Sequence, residues 1–388
     1  MKKIWICAAS ALILVYTVFP AYGGQWQRNG EFWQYLQEDG TYVSSGWMKD
    51  TDGKWYYFDE NGYMAVNEIT PDGYVVGKDG SYIQGMFQDQ DQAIEPWDYQ
   101  QMLGRGMDVD WSKTKDGKNY YTSKTAADFR QAGIKHVRIR VKDDLDEELL
   151  EGLDRQIHDC LSNGLIPVLA YQADEFKNNP CQETIDGVTA WWRTAAERYQ
   201  NKSHLLSFDL LIESSDALNR QPEMLNRMIE QCVAAIRETN PDRIIMMSPR
   251  LRSDPAYLSE LKIPSAGNGY LMAEWHFYAA GPSRTNEKKL WTVGTEQEKK
   301  RIEDKIKSAL DWQMQTGIPT WVGAWMPGNY NDGNDYSLEE QMVFAGFMCD
   351  SLEHAGIPFA VNSDTKFYDR EKQEWIEEMI PLRNLIFQ

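Results

Sequence analysis

Two carboxylates lie at or near the ends of apolar runs in the second half of the 388-residue chain. Glu213 ends the run LLSFDLLIE, and Glu274 lies in YLMAEWHFY, where His276 and Tyr278 follow it. A pair of carboxyl groups on either side of a glycosidic bond can hydrolyse it, one as acid and the other as nucleophile or base. The later run PTWVGAW carries Ala324 near its end, a methyl group that can do no such chemistry.

Eight apolar runs of this kind alternate with amphipathic helical segments from about residue 98 onwards. The runs are MLGRGMDVDW, HVRIRV, IPVLAYQ, LLSFDLLIE, RIIMMSPR, YLMAEWHFY, PTWVGAW and PFAVNS. Eight strand and helix units over about 290 residues predict an α/β fold, the (β/α)8 or TIM barrel, across residues 98–388. A doubly wound sheet would also alternate, but no Gly-rich phosphate loop follows the first run. In a TIM barrel, functional side chains gather at the C-terminal ends of the strands.

The predicted strand ends carry polar and aromatic side chains that would meet at one mouth of the barrel. They are Arg138, Arg140, Tyr171, Gln172, Glu213, Glu274, Trp275, His276, Tyr278, Trp325 and Asn362. Each has a structural alternative to a role in binding. Arg138 could simply neutralise Glu213, His276 could be a hydrogen-bonded core residue, and Trp275 and Trp325 suit core packing as well as sugar platforms.

The pieces LGRGMDVDW, GIKHVRIRV, WWRTAAERYQNKSHLLSFDLLIE and HFY resemble glycoside hydrolase family 5, the cellulase-like barrels, across nearly all of residues 98–388. The resemblance implies that Glu213 occupies the general acid/base position. It also implies a polysaccharide ligand, no cofactor and no metal. The substrate-binding residues that we expect from it are Arg138, Gln172, Trp275, His276, Tyr278 and Trp325.

The chain departs from the family pattern at several mouth positions. Ala324 replaces the nucleophile and Ile212 replaces the Asn that would hold the sugar 2-hydroxyl. Gln172 lies near the usual third-strand His, and Asn362 lies where the eighth strand usually brings a Trp. Since Ala cannot form a glycosyl-enzyme intermediate, we expect a barrel that binds polysaccharide and has lost the retaining chemistry.

Two alternatives remain open at this stage. The barrel could be an active, inverting hydrolase that uses Glu213 with a relocated carboxylate, for which Glu274, Asp332 and Asp335 are candidates. It could also be an inert part of a structural surface protein.

A repeat over residues 26–85 precedes the barrel. FWQYLQEDGTYVSSGW and KWYYFDENGYMAVNEI superimpose with an offset of 22 residues and predict stacked β-hairpins with Asp-Gly or Asn-Gly turns; a shorter copy turns at Asp79-Gly80. GWMKDTDGKWYYFDENGYMA resembles the cell-wall-binding, choline-binding type repeat of Gram-positive surface proteins. The resemblance implies that aromatic rings hold choline on teichoic acid through cation–π attraction. The residues at such positions are Trp33, Trp47, Trp55 and Tyr57. Alternatively, these rings contact carbohydrate or only join the hairpins.

The remaining sequence features concern location and partners. Residues 1–23 combine two Lys, an apolar stretch and Ala21-Tyr22-Gly23, which predicts a cleaved secretion signal and a secreted, cell-wall-associated protein. The apolar stretch is short for a membrane span, and residues 86–97 form a predicted linker. A net charge of −19 argues against nucleic acid and anionic lipid as partners. The scattered Cys160, Cys181, Cys232 and Cys349 show no metal-binding spacing.

Overall fold

The computed structural model describes residues 19–20, 24–30, 32–66, 68–70, 74–82, 92–214, 217–278, 290–328 and 336–388. These residues fall into two compact units, one within residues 1–83 and the other mainly within residues 84–388. The predicted signal segment lies outside the described residues except for residues 19 and 20. The predicted linker is described only from residue 92.

The first unit is built from short strands. These are β1 Phe19–Pro20, β2 Gln25–Asn29, β3 Phe32–Leu36, β4 Gly46–Lys49, β5 Trp55–Phe58, β6 Glu68–Ile69 and β7 Val75–Val76. Strands β2 and β3 pair antiparallel, as do β4 and β5, while β1 runs parallel to β4. Their apolar faces share one core, which consists of Tyr35, Val43, Met48, Tyr56, Phe58 and Met64, with Trp26 packed against it.

The predicted β-hairpins and glycine turns are present, but the longer strand ladders lie across other turns than the predicted ones. Gly40, Gly62 and Gly80 have positive φ, and each donates its N–H to the carbonyl three residues earlier. The turn at Gly30 joins the ladder of β2 and β3, and the turn at Gly53 joins that of β4 and β5. Across Gly40 and Gly62, isolated antiparallel bridges pair the chain. A repeated turn motif fixes where the chain reverses, but not which neighbouring strand forms the longer ladder.

The second unit is a closed barrel of eight parallel strands, so the predicted TIM barrel is confirmed. The strands are β8 Arg105–Val109, β9 His136–Val141, β10 Ile166–Tyr171, β11 Ser207–Asp209, β12 Ile245–Met247, β13 Leu271–Tyr278, β14 Thr320–Met326 and β15 Phe359–Asn362. Strand β15 pairs with β8 and closes the barrel. A small antiparallel pair, β16 Tyr368–Asp369 and β17 Glu374–Trp375, follows it.

Helices surround this barrel. They are α1 Pro96–Leu103, α2 Ser123–Gln131, α3 Glu147–Ser162, α4 Asp174–Asn178, α5 Gln182–Tyr199, α6 Pro222–Arg237, α7 Arg250–Ser253, α8 Glu296–Thr316, α9 Leu338–His354 and α10 Ile380–Phe387. Shorter 3₁₀ helices occupy Lys115–Tyr120, Leu218–Arg220, Pro255–Glu260, Asp364–Lys366 and Glu377–Met379. Helix α8 shows the expected end signals, a Thr295/Glu298 capping box and Gly317 with φ of 73°. Within the described ranges, no helix combines the length and the apolar character that crossing a membrane requires.

An irregularity between β13 and β14 decides which side chains face the barrel interior. Trp275 pairs with Val322, but the next residue, His276, pairs with Ala324. Gly323 is therefore the extra residue of a β-bulge, a feature that re-aims side chains next to sites. Beyond the bulge, Ala324 points to the same side of the sheet as His276.

Candidate functional site

Strand β13 directs three polar side chains into the barrel. Successive residues of a strand face opposite sides, so Glu274, His276 and Tyr278 share one face. All three contact other polar groups of the interior. Trp275 faces the other side and is 1% exposed. The Trp275 ring is therefore enclosed by the core in this structure. Its contact with substrate stays a prediction.

Glu213 follows β11 and is the carboxylate that these side chains surround. Its Oε1 accepts hydrogen bonds from the Tyr278 hydroxyl at 2.8 Å and from Nδ1 of His276 at 3.0 Å. Its Oε2 lies 3.5 Å from Nη1 of Arg252. The Glu213 side chain is 22% exposed and its backbone φ is 53°, so a strained residue carries the accessible carboxylate.

His276 joins Glu213 to a second carboxylate. Its Nε2 lies 2.7 Å from Oε2 of Glu274, while its Nδ1 is bonded to Glu213. The other oxygen of Glu274 accepts a hydrogen bond of 2.8 Å from the Ser253 hydroxyl. Because each ring nitrogen lies within 3.0 Å of a carboxylate oxygen, the positively charged imidazolium form of His276 is favoured.

The electrostatics of this arrangement fix the charge of Glu213. Burial alone would raise the pKa of Glu213, but the hydrogen bonds from His276 and Tyr278 and the charges of His276 and Arg252 outweigh it and lower the pKa to about 2. Burial would lower the pKa of His276, but the charge of Glu274 and the hydrogen bonds to both carboxylates raise it to about 9. Glu213 is thus a carboxylate at neutral pH and is poorly suited to donate a proton.

Beneath these residues lies an interior ion cluster formed by Asp108, Arg138, Asp209, Glu274 and His276. Arg138 binds Asp108 through two hydrogen bonds of 2.6 and 2.9 Å, Asp209 at 3.1 Å, and lies 3.6 Å from Glu274. Its side chain is 1% exposed. Arg138 is therefore enclosed and paired with carboxylates other than Glu213. Its contact with substrate stays a prediction.

The carboxylates of the interior ion cluster differ in their ionisation. Burial raises the pKa of Asp209 to about 7, and the negative charge of Glu274 adds to this effect against the charge of Arg138. Burial would also raise the pKa of Asp108, but Arg138 and Arg140 hold it below its ordinary value. Arg140 lies 3.2 Å from Asp108 and also binds Asp110. Asp209 therefore takes up a proton more readily than Asp108.

Ala324 faces the interior with nothing but a methyl group. It is fully buried, and it pairs with His276 across the β13–β14 ladder. A Cβ atom built on the preceding Gly323 would lie 2.3 Å from Oε2 of Glu274 and 2.8 Å from Nη1 of Arg138. The space beside β14 is therefore filled by a carboxylate that belongs to β13.

The contact of Trp325 with substrate likewise stays a prediction, and in this structure the residue belongs to the core. Its ring is fully buried and packs against Phe344 of α9 and Phe359 of β15, with ring centroids 5.8 and 5.6 Å away. The bulge at Gly323 turns Ala324 inward and consequently turns Trp325 outward, under the helices.

Gln172 lies at the end of β10 and is half-buried. Its side-chain oxygen accepts a hydrogen bond of 3.0 Å from Lys177, which also reaches the carbonyl of Ile212 at 3.2 Å and Asp174 at 2.8 Å. Ile212 itself is 3% exposed. A buried lysine therefore links the ends of β10 and β11.

Asn362 ends β15 and is half-buried. The loop residues Asp332 and Asp335, which were candidates for a relocated carboxylate, lie outside the described residues. No group of three or more His, Cys, Asp or Glu side chains in the described part of the chain could hold a metal ion. Cys160, Cys181, Cys232 and Cys349 are free thiols.

Five residues of the site were absent from the sequence prediction: Asp108, Lys177, Asp209, Arg252 and Ser253. Asp108 and Asp209 carried a usable signal, because a charged residue inside a buried strand almost always has a charged partner. Lys177 lies in the five-residue helix α4, and Arg252 and Ser253 lie in the four-residue turn α7; the sequence offers no comparable signal for such short segments.

The predicted aromatic residues of the first unit divide into separate contacts. Trp47 lies next to Tyr57 and Tyr82, with ring centroids 5.3 and 5.7 Å away. Trp33, which is 39% exposed, lies 6.4 Å from Trp26. The Trp55 ring lies 5.8 Å below the Lys49 ammonium. The structure thus groups two of the four predicted residues and adds Tyr82 to them.

Comparison with known families gives two matches. Residues 98–360 match the model of cellulase, glycosyl hydrolase family 5, and residues 41–82 match that of the choline-binding repeat. Among curated proteins, Endoglucanase H of Acetivibrio thermocellus is 25% identical over 315 residues, which are 74% of this chain and 33% of that protein. Endoglucanase C of the same organism is 26% identical over 178 residues, 41% of this chain and 50% of that protein. The matches thus span a third to a half of these relatives.

Solved structures share the fold of the second unit. Thermotoga maritima Cel5A, solved in complex with mannotriose, superimposes with a TM-score of 0.66 at 20% identity, covering 75% of this chain and all of that one. The cellulose synthase subunit Z of Clostridioides difficile gives a TM-score of 0.63 at 21% identity, covering 73% of this chain and 99% of that one. At these identities the likeness concerns the fold.

Proposed function

Because this chain belongs to glycoside hydrolase family 5, the cellulase family, we propose that its barrel binds polysaccharide without cleaving it by the retaining reaction. The observation that carries the proposal is Ala324. Its methyl group faces the interior beside His276, at the position that the family resemblance assigns to the nucleophile. No covalent glycosyl intermediate can form on it.

The state of Glu213 supports the same conclusion. A retaining glycosidase needs two carboxyl groups about 5–5.5 Å apart, one of which is protonated to assist the leaving oxygen. Glu213 accepts hydrogen bonds from Tyr278 and His276 and carries a lowered pKa, so it is held as an anion. A partly exposed carboxylate of this kind is a good acceptor for sugar hydroxyl groups.

Binding and turnover on a panel of soluble β-glucans and mannans test this proposal. We expect the full chain to bind at least one of them without releasing reducing ends. Glu213→Gln is expected to weaken binding, because the neutral amide replaces a charged acceptor. Turnover with retained anomeric configuration would contradict the proposal, since that reaction requires a nucleophile.

A second candidate is an inverting hydrolase, which the link from Glu213 through His276 to Glu274 favours. Inversion uses carboxyl groups about 6.5–9.5 Å apart, a separation that leaves room for a water molecule between the general base and the sugar. Glu274, however, is fully buried and bonded to Ser253 and His276, so a water molecule would reach it only after the interior opens. Nuclear magnetic resonance of the first-formed product anomer distinguishes inversion from retention if any turnover is observed.

For the first unit we propose attachment to the cell surface through choline-containing wall polymers after secretion. The match of residues 41–82 to the choline-binding repeat and the grouping of Trp47, Tyr57 and Tyr82 support this role. Trp33 and Trp55 remain candidates for further ring contacts.

Retention on choline resin and on purified cell walls, followed by elution with free choline, tests the attachment. Trp47→Ala is expected to abolish choline-dependent retention, because cation–π attraction requires the ring. Phe32→Ala is the matched control, since Phe32 is an aromatic residue of the same unit and is 57% exposed. Equal retention of the two variants would contradict the proposed role of Trp47.

A further inference from the structure

Helix α7 contains three consecutive residues in the left-handed region of backbone conformation. Leu251, Arg252 and Ser253 have φ values of 55°, 57° and 60°. None of them is glycine, so each suffers the steric cost that L-residues incur there. Strained backbone of this kind persists where the surrounding structure holds it in place, and it concentrates at functional sites.

Contacts with the loop that follows Glu213 hold the turn. The side-chain oxygen of Asn219 accepts a hydrogen bond of 2.7 Å from the Leu251 N–H and one of 3.0 Å from the Ser214 hydroxyl. One asparagine therefore fixes both the strained turn and the residue next to Glu213. The relative position of the two segments is set by that shared acceptor.

The turn brings two side chains to the carboxylates of the site. Ser253 donates to the buried Glu274 at 2.8 Å, while Arg252 lies 3.5 Å from Glu213. The Arg252 side chain is 39% exposed and that of Glu213 is 22% exposed. The pair thus presents a donor and an acceptor to solvent side by side, and the contact between them is longer than a good charged hydrogen bond.

A pair of this composition matches adjacent hydroxyl groups of a sugar ring. The carboxylate can accept a hydrogen bond from one hydroxyl, while the planar guanidinium donates to the oxygen of its neighbour. A uronic acid would instead bring a carboxylate towards Glu213, which the hydrogen bonds from His276 and Tyr278 keep ionised against the effect of burial. Like charges in one site are unfavourable.

We propose that Arg252 is a specificity-determining residue, which together with Glu213 binds two neighbouring hydroxyl groups of an uncharged pyranose. The proposal rests on the polysaccharide binding proposed above and adds to it the class of sugar and the residue that selects it. The left-handed turn is maintained, at a cost to stability, because it places Arg252 beside Glu213.

The test compares the full chain with Arg252→Gly and Arg252→Met. Affinity electrophoresis measures binding to an uncharged β-glucan, a mannan and a polyuronate, and thermal unfolding measures Tm. Both variants are expected to lose about tenfold or more in affinity for the uncharged polysaccharide, since a charge-assisted donor is removed. Arg252→Gly is expected to keep or raise Tm, because glycine tolerates the left-handed conformation.

Arg250→Met is the matched control. Arg250 belongs to the same turn, but its guanidinium binds Glu260 at 2.9 Å and stacks over Tyr257. Its loss should leave the affinity unchanged, whereas a general disturbance of the turn would lower the affinity in all three variants and overturn the inference.

The outcomes separate this inference from the proposed function. If the parent chain binds none of the polysaccharides, the proposed function fails and the inference fails with it. If the parent binds but both Arg252 variants bind equally well, or if the parent prefers the polyuronate, only the inference is overturned. Arg252→Met provides the affinity measurement if the glycine variant does not fold.

Discussion

Strands β13 and β14 are neighbours in the same ladder, yet they contribute opposite chemistry to the barrel interior. Strand β13 carries Glu274, His276 and Tyr278 on its inner face. Strand β14 places Trp321 beside Glu274 and Ala324 beside His276, an aromatic ring and a methyl group. The barrel thus keeps its polar groups on one strand and has none at the matching positions of the next.

The polar groups that remain in the interior hold one another in place. In the absence of a carboxylate at Ala324, Tyr278 and His276 both direct their hydrogen bonds to Glu213. Glu274 is in turn needed to balance His276 and Arg138. Removing one partner of a buried ionic network leaves another charge uncompensated. Substitution of any single member of the interior ion cluster should therefore destabilise the barrel.

The largest effect is expected from breaking this network at Glu274. Glu274→Leu removes the carboxylate that pairs with His276 and Arg138 and accepts the hydrogen bond of Ser253. We expect this change to lower the free energy of unfolding by about 3–5 kcal/mol. Urea denaturation measures the change. Glu274→Gln serves as the control, because it retains an acceptor oxygen and should lose less. A loss below about 1 kcal/mol for the leucine variant would show that the charged side chains of β13 contribute no more to stability than the apolar ones of β14.

The next effect is the dependence of stability on pH. The pKa of His276 rises from its ordinary 6.5 to about 9 on folding, among Glu213, Glu274 and Arg138. A raised pKa contributes stability that is complete below pH 6.5 and is lost as the pH rises through 9. The shift corresponds to at most about 3 kcal/mol.

Burial raises the pKa values of Asp209 and Asp364 to about 7 and 6. Folding therefore favours their protonated forms, and their contribution to stability is lost as the pH rises from about 4 through these values. Tm should therefore fall as the pH rises from 5 to 9. Below about pH 4.5 the lowered pKa of Glu213 reverses the trend, because its ionised form is the one that folding favours. His276→Gln should flatten the upper part of the profile, and an unchanged slope above pH 6.5 would refute the assignment to His276.

A smaller effect tests the space between the two strands. Gly323→Ala would place a methyl group 2.3 Å from Oε2 of Glu274. Because Glu274 is held by three partners, we expect a loss of about 1–3 kcal/mol in the free energy of unfolding. Gly346→Ala in α9 is the control, since no atom lies within 4 Å of its Cβ position, and it should gain about 0.5–1 kcal/mol. Equal effects at the two positions would mean that Glu274 does not fill the bulge.

The barrel could be predicted from sequence because its strands are short apolar runs between amphipathic helices, and this pattern survives local changes. The burial of Trp275 could also have been predicted. Glu274, His276 and Tyr278 alternate, so a residue between them must face the other side. The burial of Trp325 could not have been predicted, since a bulge at Gly323 shifts the alternation by one residue and the sequence does not reveal the shift.

The unpredicted part of the site depends on tertiary structure in a different way. Arg252 reaches Glu213 from a left-handed turn without glycine, a conformation that residue preferences argue against. Lys177 reaches Ile212 from a five-residue helix. Such segments adopt their conformation because the surrounding barrel holds them. No local sequence pattern predicts that conformation.

The smallest expected effect, and the most direct way to erase the difference between β13 and β14, is to restore a carboxylate at Ala324. Ala324→Glu would place an acidic side chain beside His276 and towards Glu213. Two carboxyl groups in one site raise the pKa of one of them, which would allow Glu213 to donate a proton near neutral pH. We expect weak turnover of aryl β-glycosides, about tenfold to a hundredfold above that of the parent chain.

Ile212 limits that turnover, because its side chain cannot hydrogen-bond the sugar 2-hydroxyl, a contact that strengthens in the transition state. The double variant Ile212→Asn/Ala324→Glu should therefore exceed the single one. Ala324→Gln has nearly the same shape without the nucleophile and should stay inactive. If the glutamate variants fold, bind polysaccharide and are no more active than Ala324→Gln, then Ala324 does not occupy the nucleophile position, and the contrast between the two strands reflects packing rather than lost chemistry.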